Sequence, residues 1–400
     1  MRHFLTRACA VGTCLLLVLT IFSLSGGAKG QEARWTFAIY MCSDNDLDAW
    51  GEMNTEQLMS VGSTKDVRFV VFWDPSTGPA NLYLIEKGLM TEKTNFAYND
   101  KEVNMGDPVV LEAFVDYLNA KYAASNLLLD LWDHGDDFRG ICFDDNTATD
   151  AEEDYLTHQE IVGVLDGKDV SIIAADGCGI ATVEVAYEYA LGDVADWFVA
   201  NQNYVPLQGF PYDAIAEDLV SMPGMSAERL SADIVKRYAE YYQGGWLTEL
   251  AAIKLAAMEP MVDELWDVKE VLMSDMETYA EFLAAGRGHA MMGWSQYGWE
   301  GTVDFATIFE VVNKRAPAGS ELKVETGELL AAIEAAVPYV GSGTPANVWD
   351  PEGLAVFFPG SLGSYEHNVW WRSGAFEALQ FAQDGWIELL QSYYAAQKSA

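Results

Sequence analysis

The chain has 400 residues, half of them apolar, and a formal net charge of −38 at pH 7. This length and apolar content allow a sizeable buried core, which excludes global disorder. So acidic a surface repels nucleic acids and anionic membranes, and we expect neither as a partner. Cationic peptides would be attracted, although solubility explains most of these charges more simply.

The first thirty residues have the layout of a secretory signal peptide. Arg2 and Arg7 precede an apolar run over 14–24, and small residues follow at 25–28. The apolar run is short for a membrane span. We therefore predict a cleaved signal over residues 1–30 and an exported mature chain, either secreted or periplasmic.

Strand and helix patterns alternate along the first half of the mature chain. Apolar runs predict strands over 35–41, 66–73, 81–85, 127–133, 170–175 and 195–200. Helical spacing predicts helices over 108–122, 157–165 and 180–191, with Glu184 facing away from the apolar stripe of the last one. This alternation indicates an α/β fold with a mostly parallel central sheet.

The second half of the chain has a different pattern, which is mainly helical beyond about residue 215. One late strand over 353–359 and a terminal helix over 386–396 are predicted. We therefore predict an α/β domain over 31–215 and a helical region over 216–400, whose late strand returns to the sheet.

Two of the predicted strands stop abruptly at reactive residues. The strand over 127–133 is followed directly by His134. The strand over 170–175 is followed by Asp176, Gly177 and Cys178. Ligands bind beyond the carboxyl ends of the strands in open α/β sheets, so we expect His134 and Cys178 to meet over one cleft. A thiol and an imidazole can act as nucleophile and general acid/base in acyl transfer. The pair predicts a cysteine peptidase.

Each of these residues alone has a simpler interpretation. Cys178 could be a buried structural thiol and His134 a turn residue, but their matching positions at strand ends favour catalysis. Cys178 also lies where a strand is predicted to turn into a helix. A helix N-terminus would stabilise the thiolate and lower the pKa of the thiol.

The cysteines and the acidic residues of the sequence indicate neither a disulfide framework nor a cofactor. Three cysteines remain after signal removal, too few for a disulfide framework, although a Cys42–Cys142 bridge is permitted. The spacing of His134, Cys142 and Cys178 matches no zinc site. The acidic loop over 144–154 offers oxygen ligands for calcium, but a solvated loop is the simpler interpretation. We expect no cofactor.

Several segments in order along the chain resemble the clostripain family of cysteine peptidases, relatives of the caspases and legumains. They are WTFAIYMCSDNDL at 35–47, NMGDP at 104–108, LWDHGDDFRG at 131–140, DGCGIATVEVAY at 176–187, GFPYDA at 209–214 and GLAVFFP at 353–359. The resemblance implies a caspase-like α/β/α sandwich with His134 and Cys178 as a catalytic dyad. It implies the backbone amides of Gly135 and Cys178 as oxyanion donors, and Asp176 as a residue of the pocket for the substrate's P1 side chain.

The family typically cleaves after Arg or Lys, and this chain departs from its pattern in one relevant place. Relatives commonly carry acidic residues in the segment 200–209, which is entirely neutral here. Asp176 is then the one obvious partner for a basic P1 group, so a basic preference stays open. We expect a monomeric endopeptidase acting on peptide or protein substrates. The alternative is a weak or inactive peptide-binding protein on the same scaffold.

The loop that follows His134 predicts that the protein does not cut itself there. Relatives that do so cleave after a basic residue, and no Arg or Lys occurs from Gly140 to Gly167. We expect a single chain when purified protein is incubated and examined by gel electrophoresis and N-terminal sequencing. Two chains split between Cys142 and Leu156 would refute this prediction.

Overall fold

The computed structural model describes residues 33–147, 154–245, 247–290, 301–343, 350–371 and 374–397. The predicted signal peptide over 1–30 lies outside these residues. Among the described helices, none combines the length and the apolar character that crossing a lipid bilayer requires.

A large, mostly parallel sheet lies at the centre of the described chain. The strands in chain order are β1 (Ala33–Ser43), β2 (Val67–Pro75), β3 (Asn81–Glu86), β4 (Leu89–Glu92), β5 (Ala124–Trp132), β6 (Ile141–Asp144), β7 (Asp154–Leu156), β8 (Ile172–Asp176), β9 (Trp197–Ala200), β10 (Glu249–Lys254), β11 (Thr302–Asp304), β12 (Tyr339–Ser342) and β13 (Ala355–Phe357). The central sheet has the order β12-β10-β9-β8-β5-β1-β2-β3-β4. Its five middle strands, from β9 to β2, are parallel, and antiparallel strands flank them on both sides.

Helices cover both faces of this sheet. In chain order they are α1 (Asp48–Val61), α2 (Pro108–Lys121), α3 (His158–Leu165), α4 (Val183–Leu191), α5 (Tyr212–Ser221), α6 (Ala227–Tyr241), α7 (Met258–Ser274), α8 (Met276–His289), α9 (Phe305–Arg315), α10 (Glu321–Ala336), α11 (Leu362–Trp371), α12 (Ala375–Ala378) and α13 (Ile387–Gln397). Helices α1, α5 and α6 contribute to the core on one face, and α2, α3, α4 and α7 contribute to the core on the other.

The two cores follow from the apolar character of the central strands on both sides. Successive side chains of a strand point to opposite faces of the sheet. In β1, Phe37 and Ile39 pack into one core while Ala38 and Tyr40 pack into the other, and all four are buried. A strand buried on both faces is typical of parallel sheets covered by helices. The predicted α/β/α fold class is confirmed.

The predicted organisation of the second half differs from the structure in two respects. The late strand is present as β13, but it pairs with β11 in a separate two-stranded sheet and does not return to the central sheet. Strands β10 and β12, which the sequence reading missed, join the central sheet instead. The predicted boundary at residue 215 falls inside α5, and the described residues on both sides of it belong to one compact unit.

The position of β13 also changes the environment of Glu184. The helical pattern predicted that this side chain faces away from the core, but Glu184 is fully buried. The backbone N–H of Phe357 donates to its Oε1 at 2.8 Å, and burial raises the pKa of this carboxyl to about 7. The prediction was wrong because a distant segment covers this face of α4.

Candidate active site

The register between β5 and β8 brings two loops together at one edge of the sheet. These neighbouring parallel strands pair Trp132 with Asp176. The residues two positions beyond each, His134 and Cys178, therefore leave the sheet side by side. The backbone N–H of Asp133 donates to the carbonyl of Asp176 at 3.3 Å, which joins the two strand ends.

Close contact between the two loops requires a glycine after the histidine. A Cβ atom added to Gly135 would lie 2.6 Å from the backbone oxygen of Cys178. Such a separation is far below van der Waals contact, so any larger residue would push the loops apart. Gly135 thus lets the histidine loop pack directly against the backbone of the cysteine loop.

A cavity of about 150 Å³ lies where the two loops meet. His134 and Cys178 both line it, and Asp176 lies at the end of β8 beside them. The segment that follows β9 forms another wall, and the wall residues are Tyr204, Val205, Pro206, Leu207 and Gly209. The structure therefore brings the side chains of His134, Cys178 and Asp176, all three predicted from the sequence, to one cleft.

The thiol of Cys178 lies in a poorly solvated position. The backbone N–H of Val205 is 3.4 Å from the sulfur, and the sulfur is 3.8 Å from the carbonyl oxygen of the same residue. Burial raises the pKa of the Cys178 thiol to about 12, although the N–H of Val205 opposes this rise. A thiol in this setting is protonated at neutral pH.

The predicted lowering of this pKa by a helix N-terminus is wrong. Helix α4 begins at Val183 and is capped by the side chain of Thr182, which accepts from the N–H of Val185. Cys178 precedes the helix by five residues, and helix-dipole effects are confined to the terminal turn. Desolvation therefore outweighs any favourable field from the helix.

The imidazole of His134 contacts an acidic side chain from the loop after β1. Its Nε2 lies 2.7 Å from Oδ1 of Asp46, and the two side chains are 45% and 84% exposed. An ion pair this exposed contributes little stability, roughly 0–1 kcal/mol, but it can orient the ring. The neighbouring Asn45 donates from Nδ2 to Oδ1 of Asp133 at 2.7 Å and so ties this loop to the histidine loop.

Beneath the cleft, two buried carboxyl groups share one hydroxyl. The hydroxyl of Tyr212 is 2.9 Å from Asp176 and 2.7 Å from Asp130. The backbone N–H of Phe210 donates to the same oxygen of Asp176 at 2.8 Å. A tyrosine hydroxyl has one proton to donate. Both hydrogen bonds of the Tyr212 oxygen can therefore form together only when one of the two carboxyls is itself protonated and donates to that oxygen.

The electrostatics of this group agree with its hydrogen bonding. Burial raises the pKa of Asp176 to about 7. Burial together with the charge of Asp176 raises the pKa of Asp130 to about 8. The Oδ1 atom of Asp176 has no hydrogen-bond partner among the described residues. Gly209 faces this carboxylate so closely that an added Cβ would lie 2.5 Å from Oδ2.

Sequence reasoning had not assigned Asp46, Asp130 or Tyr212 to the site. For Asp130 a signal was present, because it interrupts the apolar run that predicts β5 between Leu129 and Leu131. A carboxyl at such a position needs a buried partner. Asp46 could not be found in this way, because exposed acids are common in a chain of this charge.

The cysteines form no disulfide among the described residues, and the possible metal ligands lie outside the cleft. Cys42, Cys142 and Cys178 are all free thiols. Within the described ranges, two groups of three potential ligands are close enough to share an ion, Asp44 with Asp74 and Asp144, and Glu264 with Glu325 and Glu328. Neither contains a histidine or a cysteine. Of the acidic loop expected to offer calcium ligands, residues 148–153 lie outside the described residues.

Fold and site together have the arrangement expected of a cysteine peptidase. The sequence model of the clostripain family matches residues 39–326, which include His134 and Cys178. The chain therefore belongs to the clostripain family.

Individual relatives agree with this assignment. Clostripain of Hathewaya histolytica is 37% identical over 141 residues, a match that covers 32% of this chain and 27% of the length of that protein. This chain is thus matched to only about a quarter of that relative.

Two solved structures are similar in fold. An inactive zymogen C11 protease from Parabacteroides distasonis superposes with a TM-score of 0.66 at 18% identity, covering 88% of this chain and 98% of that one. A secreted C11 cysteine protease from Bacteroides thetaiotaomicron, in complex with an irreversible peptide inhibitor, has a TM-score of 0.60 at 15% identity. That match covers 86% of this chain and 99% of the other.

The shared hydroxyl under the cleft predicts a pH-dependent stability. The pKa values of Asp130 and Asp176 are raised to about 8 and about 7, above the ordinary value of 3.8. Between about pH 4 and pH 8 the folded state thus holds protons that the unfolded state has released, so stability falls as the pH rises. We expect the Tm to fall from pH 5 to pH 8 and Asp130→Asn to reduce that fall, as measured by calorimetry.

The matched control for this measurement is Glu112→Gln, which neutralises an exposed carboxyl on α2. It should leave the pH dependence of the Tm as in the unaltered protein. An Asp130→Asn variant whose Tm falls as steeply as that of the control would contradict the prediction.

Proposed function

We propose that the protein is an exported cysteine endopeptidase that uses Cys178 as nucleophile and His134 as general acid/base. The observation that carries the proposal is that both side chains line one cavity, beyond the ends of adjacent parallel strands. Membership of the clostripain family supports the same reaction class. Export rests on the layout of residues 1–30 and is consistent with the secreted relative from Bacteroides thetaiotaomicron.

The proposed reaction is acyl transfer through the sulfur of Cys178. The sulfur attacks the carbonyl carbon of the scissile peptide bond while the imidazole of His134 accepts the thiol proton. The imidazolium then protonates the leaving amine, and the C–N bond breaks to give an acyl-enzyme. Water, deprotonated by the same imidazole, hydrolyses the thioester and restores the thiol.

The environment of the thiol bears on the order of these proton transfers. Burial raises the pKa of Cys178 to about 12, so the free protein holds a neutral thiol. We infer that the proton leaves as the sulfur attacks, with His134 as general base, and that no thiolate–imidazolium pair is formed in advance. The backbone amides of Gly135 and Cys178 are the proposed donors to the oxyanion, since both lie where the two loops touch.

Asp176 is the proposed partner of the substrate's P1 side chain. It lies at the cavity, and its Oδ1 has no hydrogen-bond partner among the described residues, so a guanidinium or ammonium group could donate to it. The wall segment supplies no second acid, because residues 200–209 are all neutral. We therefore propose a basic P1 preference that depends on the ionisation of this one carboxyl.

Replacement of the proposed nucleophile tests the reaction class. Cys178→Ala should reduce the turnover of fluorogenic peptides by roughly 10⁴-fold or more, because no other group can form the acyl-enzyme. Cys142→Ala is the matched control, since that thiol is buried away from the cavity. Circular dichroism would verify folding of both variants. Full activity in Cys178→Ala would end the proposal.

A labelling experiment on the same thiol separates a peptidase from a peptide-binding protein. A thiol-reactive peptide electrophile should label Cys178 rapidly, and His134→Ala should slow that labelling. Slow labelling that does not depend on His134, together with tight peptide binding and no turnover, would favour the binding protein.

The P1 preference can be tested on matched substrates with Arg or Leu at P1. Asp176→Asn should lower kcat/KM for the Arg substrate by roughly 10–100-fold, the loss expected for one charge-assisted hydrogen bond. The Leu substrate should be cleaved at a similar rate by both forms. Because the pKa of Asp176 is about 7, selectivity for Arg should increase from pH 6 to pH 8 as the carboxyl ionises. An unchanged Arg/Leu ratio in the variant would exclude Asp176 as the P1 partner.

A further inference from the structure

A second cavity, of about 360 Å³, adjoins the cleft at His134. The imidazole lines both cavities, whereas Cys178 and Asp176 line only the cleft. The two cavities therefore meet at His134. The walls of the second cavity include Asp46, Asp136, Arg139, Phe143 and Asp145.

The second cavity is assembled by hydrogen bonds between the loop after β1, the histidine loop and the end of β6. Nδ2 of Asn45 donates to the carbonyl oxygen of Phe143 at 3.0 Å and to Oδ1 of Asp133 at 2.7 Å. The backbone N–H of Asp145 donates to the carbonyl oxygen of Asp44 at 3.2 Å. These bonds connect all three segments, so the cavity is formed without a ligand.

One wall of the second cavity is a stack of aromatic rings and a guanidinium group. The rings of Phe143 and Tyr155 are stacked with their centres 4.8 Å apart. The guanidinium carbon of Arg139 lies 4.4 Å from the centre of the Tyr155 ring and 5.1 Å from that of Phe143. Nη1 of Arg139 also lies 3.4 Å from Oδ2 of Asp136. The charge of Arg139 is thus balanced inside the wall by a carboxylate and two ring faces.

The remaining charged groups of the second cavity are acidic. With Arg139 balanced by Asp136, the carboxylates of Asp46 and Asp145 leave two negative charges, and both side chains are exposed. Asp46 places Oδ1 against His134, and a carboxylate has a second oxygen that can accept from another donor. An ammonium or guanidinium group is therefore attracted into this cavity, and a carboxylate is repelled.

The part of a substrate that reaches this cavity follows from the proposed function, on which this step rests. His134 is the proposed acid that protonates the leaving amine, so the amine nitrogen must come within about 2.6–3.2 Å of the imidazole. That nitrogen belongs to the P1′ residue, whose side chain branches from the next atom of the chain. The P1 side chain occupies the cleft at Asp176, on the thiol side of the imidazole. The P1′ side chain is then the one nearest to the second cavity.

We propose that the second cavity is the S1′ subsite and that it selects Lys or Arg at P1′. The stacked wall contacts the aliphatic stem of such a side chain, and Asp46 and Asp145 attract its charged end. Asp145 is a specificity-determining residue for this position. Together with a basic P1 residue at Asp176, this subsite directs cleavage to the bond between two consecutive basic residues.

Two isomeric peptides test the subsite. Both have Arg at P1; one has Lys at P1′ and Met at P3′, and the other has Met at P1′ and Lys at P3′. Because their net charges are equal, the general attraction of cations to this acidic protein is nearly the same for both. We expect kcat/KM for the bond after Arg to be roughly 5-fold higher with Lys at P1′, about the effect of one or two exposed ion pairs. Mass spectrometry would identify the bond that is cut.

Salt and two variants test whether this preference comes from Asp145. About 0.5 M NaCl should reduce the ratio of kcat/KM between the two isomers, because salt screens exposed charges. Asp145→Asn should reduce the ratio by roughly 2–5-fold. Asp145→Lys should reduce it further and should favour a third peptide with Glu at P1′. A ratio measured within each variant is independent of any general change in catalysis.

The matched control is Asp169→Asn, which neutralises an exposed carboxyl three residues before β8, at the end of that strand opposite the cleft. It should keep the ratio of the unaltered protein. Equal cleavage of the two isomers by the unaltered protein would overturn the subsite while leaving the proposed reaction intact. Equal ratios in Asp145→Asn and Asp169→Asn would also overturn it. Absence of cleavage of every peptide would instead refute the proposed function, and the subsite with it.

Discussion

The parallel pairing of β5 with β8 is the constraint on which the cleft depends. Because Trp132 pairs with Asp176, equal offsets carry the chain to His134 and Cys178 on adjacent strands. A shift of one residue would reverse the faces to which every side chain of the strand points. Both strands are buried on both faces, so such a shift would place the wrong residues in each core. Core packing therefore holds the register that the proposed chemistry requires.

Burial of acidic groups is the second property that shapes this protein. Carboxyls lie inside the fold under the cleft, near the ends of β2 and β6, and against β13. Burial raises the pKa of each of them: Asp130, Asp176, Asp74, Asp144 and Glu184. The structure provides different partners in each place. Tyr212 serves the pair under the cleft, and the N–H of Phe357 serves Glu184. Within the described residues, neither carboxyl oxygen of Asp74 has a hydrogen-bond partner, and this separates Asp74 from the other two groups.

The same desolvation raises the pKa of the Cys178 thiol, so the proposed nucleophile lies in this cleft without being ionised. Cys178 has a backbone N–H from Val205 near its sulfur but no positive charge in contact among the described residues. A neutral thiol resists oxidation better than a thiolate, because the thiolate is the reactive form. In the proposed mechanism, the thiol would then react only when a substrate and His134 are both in place.

Much of the central sheet could be predicted from the sequence because its strands are continuous apolar runs. The runs that begin near Trp35 and Leu127 are long and bounded by polar turns, and the structure contains them as β1 and β5. Strand β10 was missed because its two-sided burial is achieved partly with Ala251 and Ala252, and alanine is not a strand-favouring residue. Strand β12 was missed because it is a short edge strand of partly exposed residues that includes Gly341.

The sequence by itself determined the parallel strands of the central sheet, the fold class and the two reactive residues at strand ends, because these follow from local hydrophobic periodicity and from residue chemistry. Only the tertiary structure decided which strand pairs with β13, that Glu184 is buried, and that Asp44, Asp74 and Asp144 lie close together. Only the tertiary structure decided the direction of the thiol pKa as well. These properties depend on contacts between segments far apart in the chain and on the water that those contacts exclude, neither of which is encoded in a local pattern.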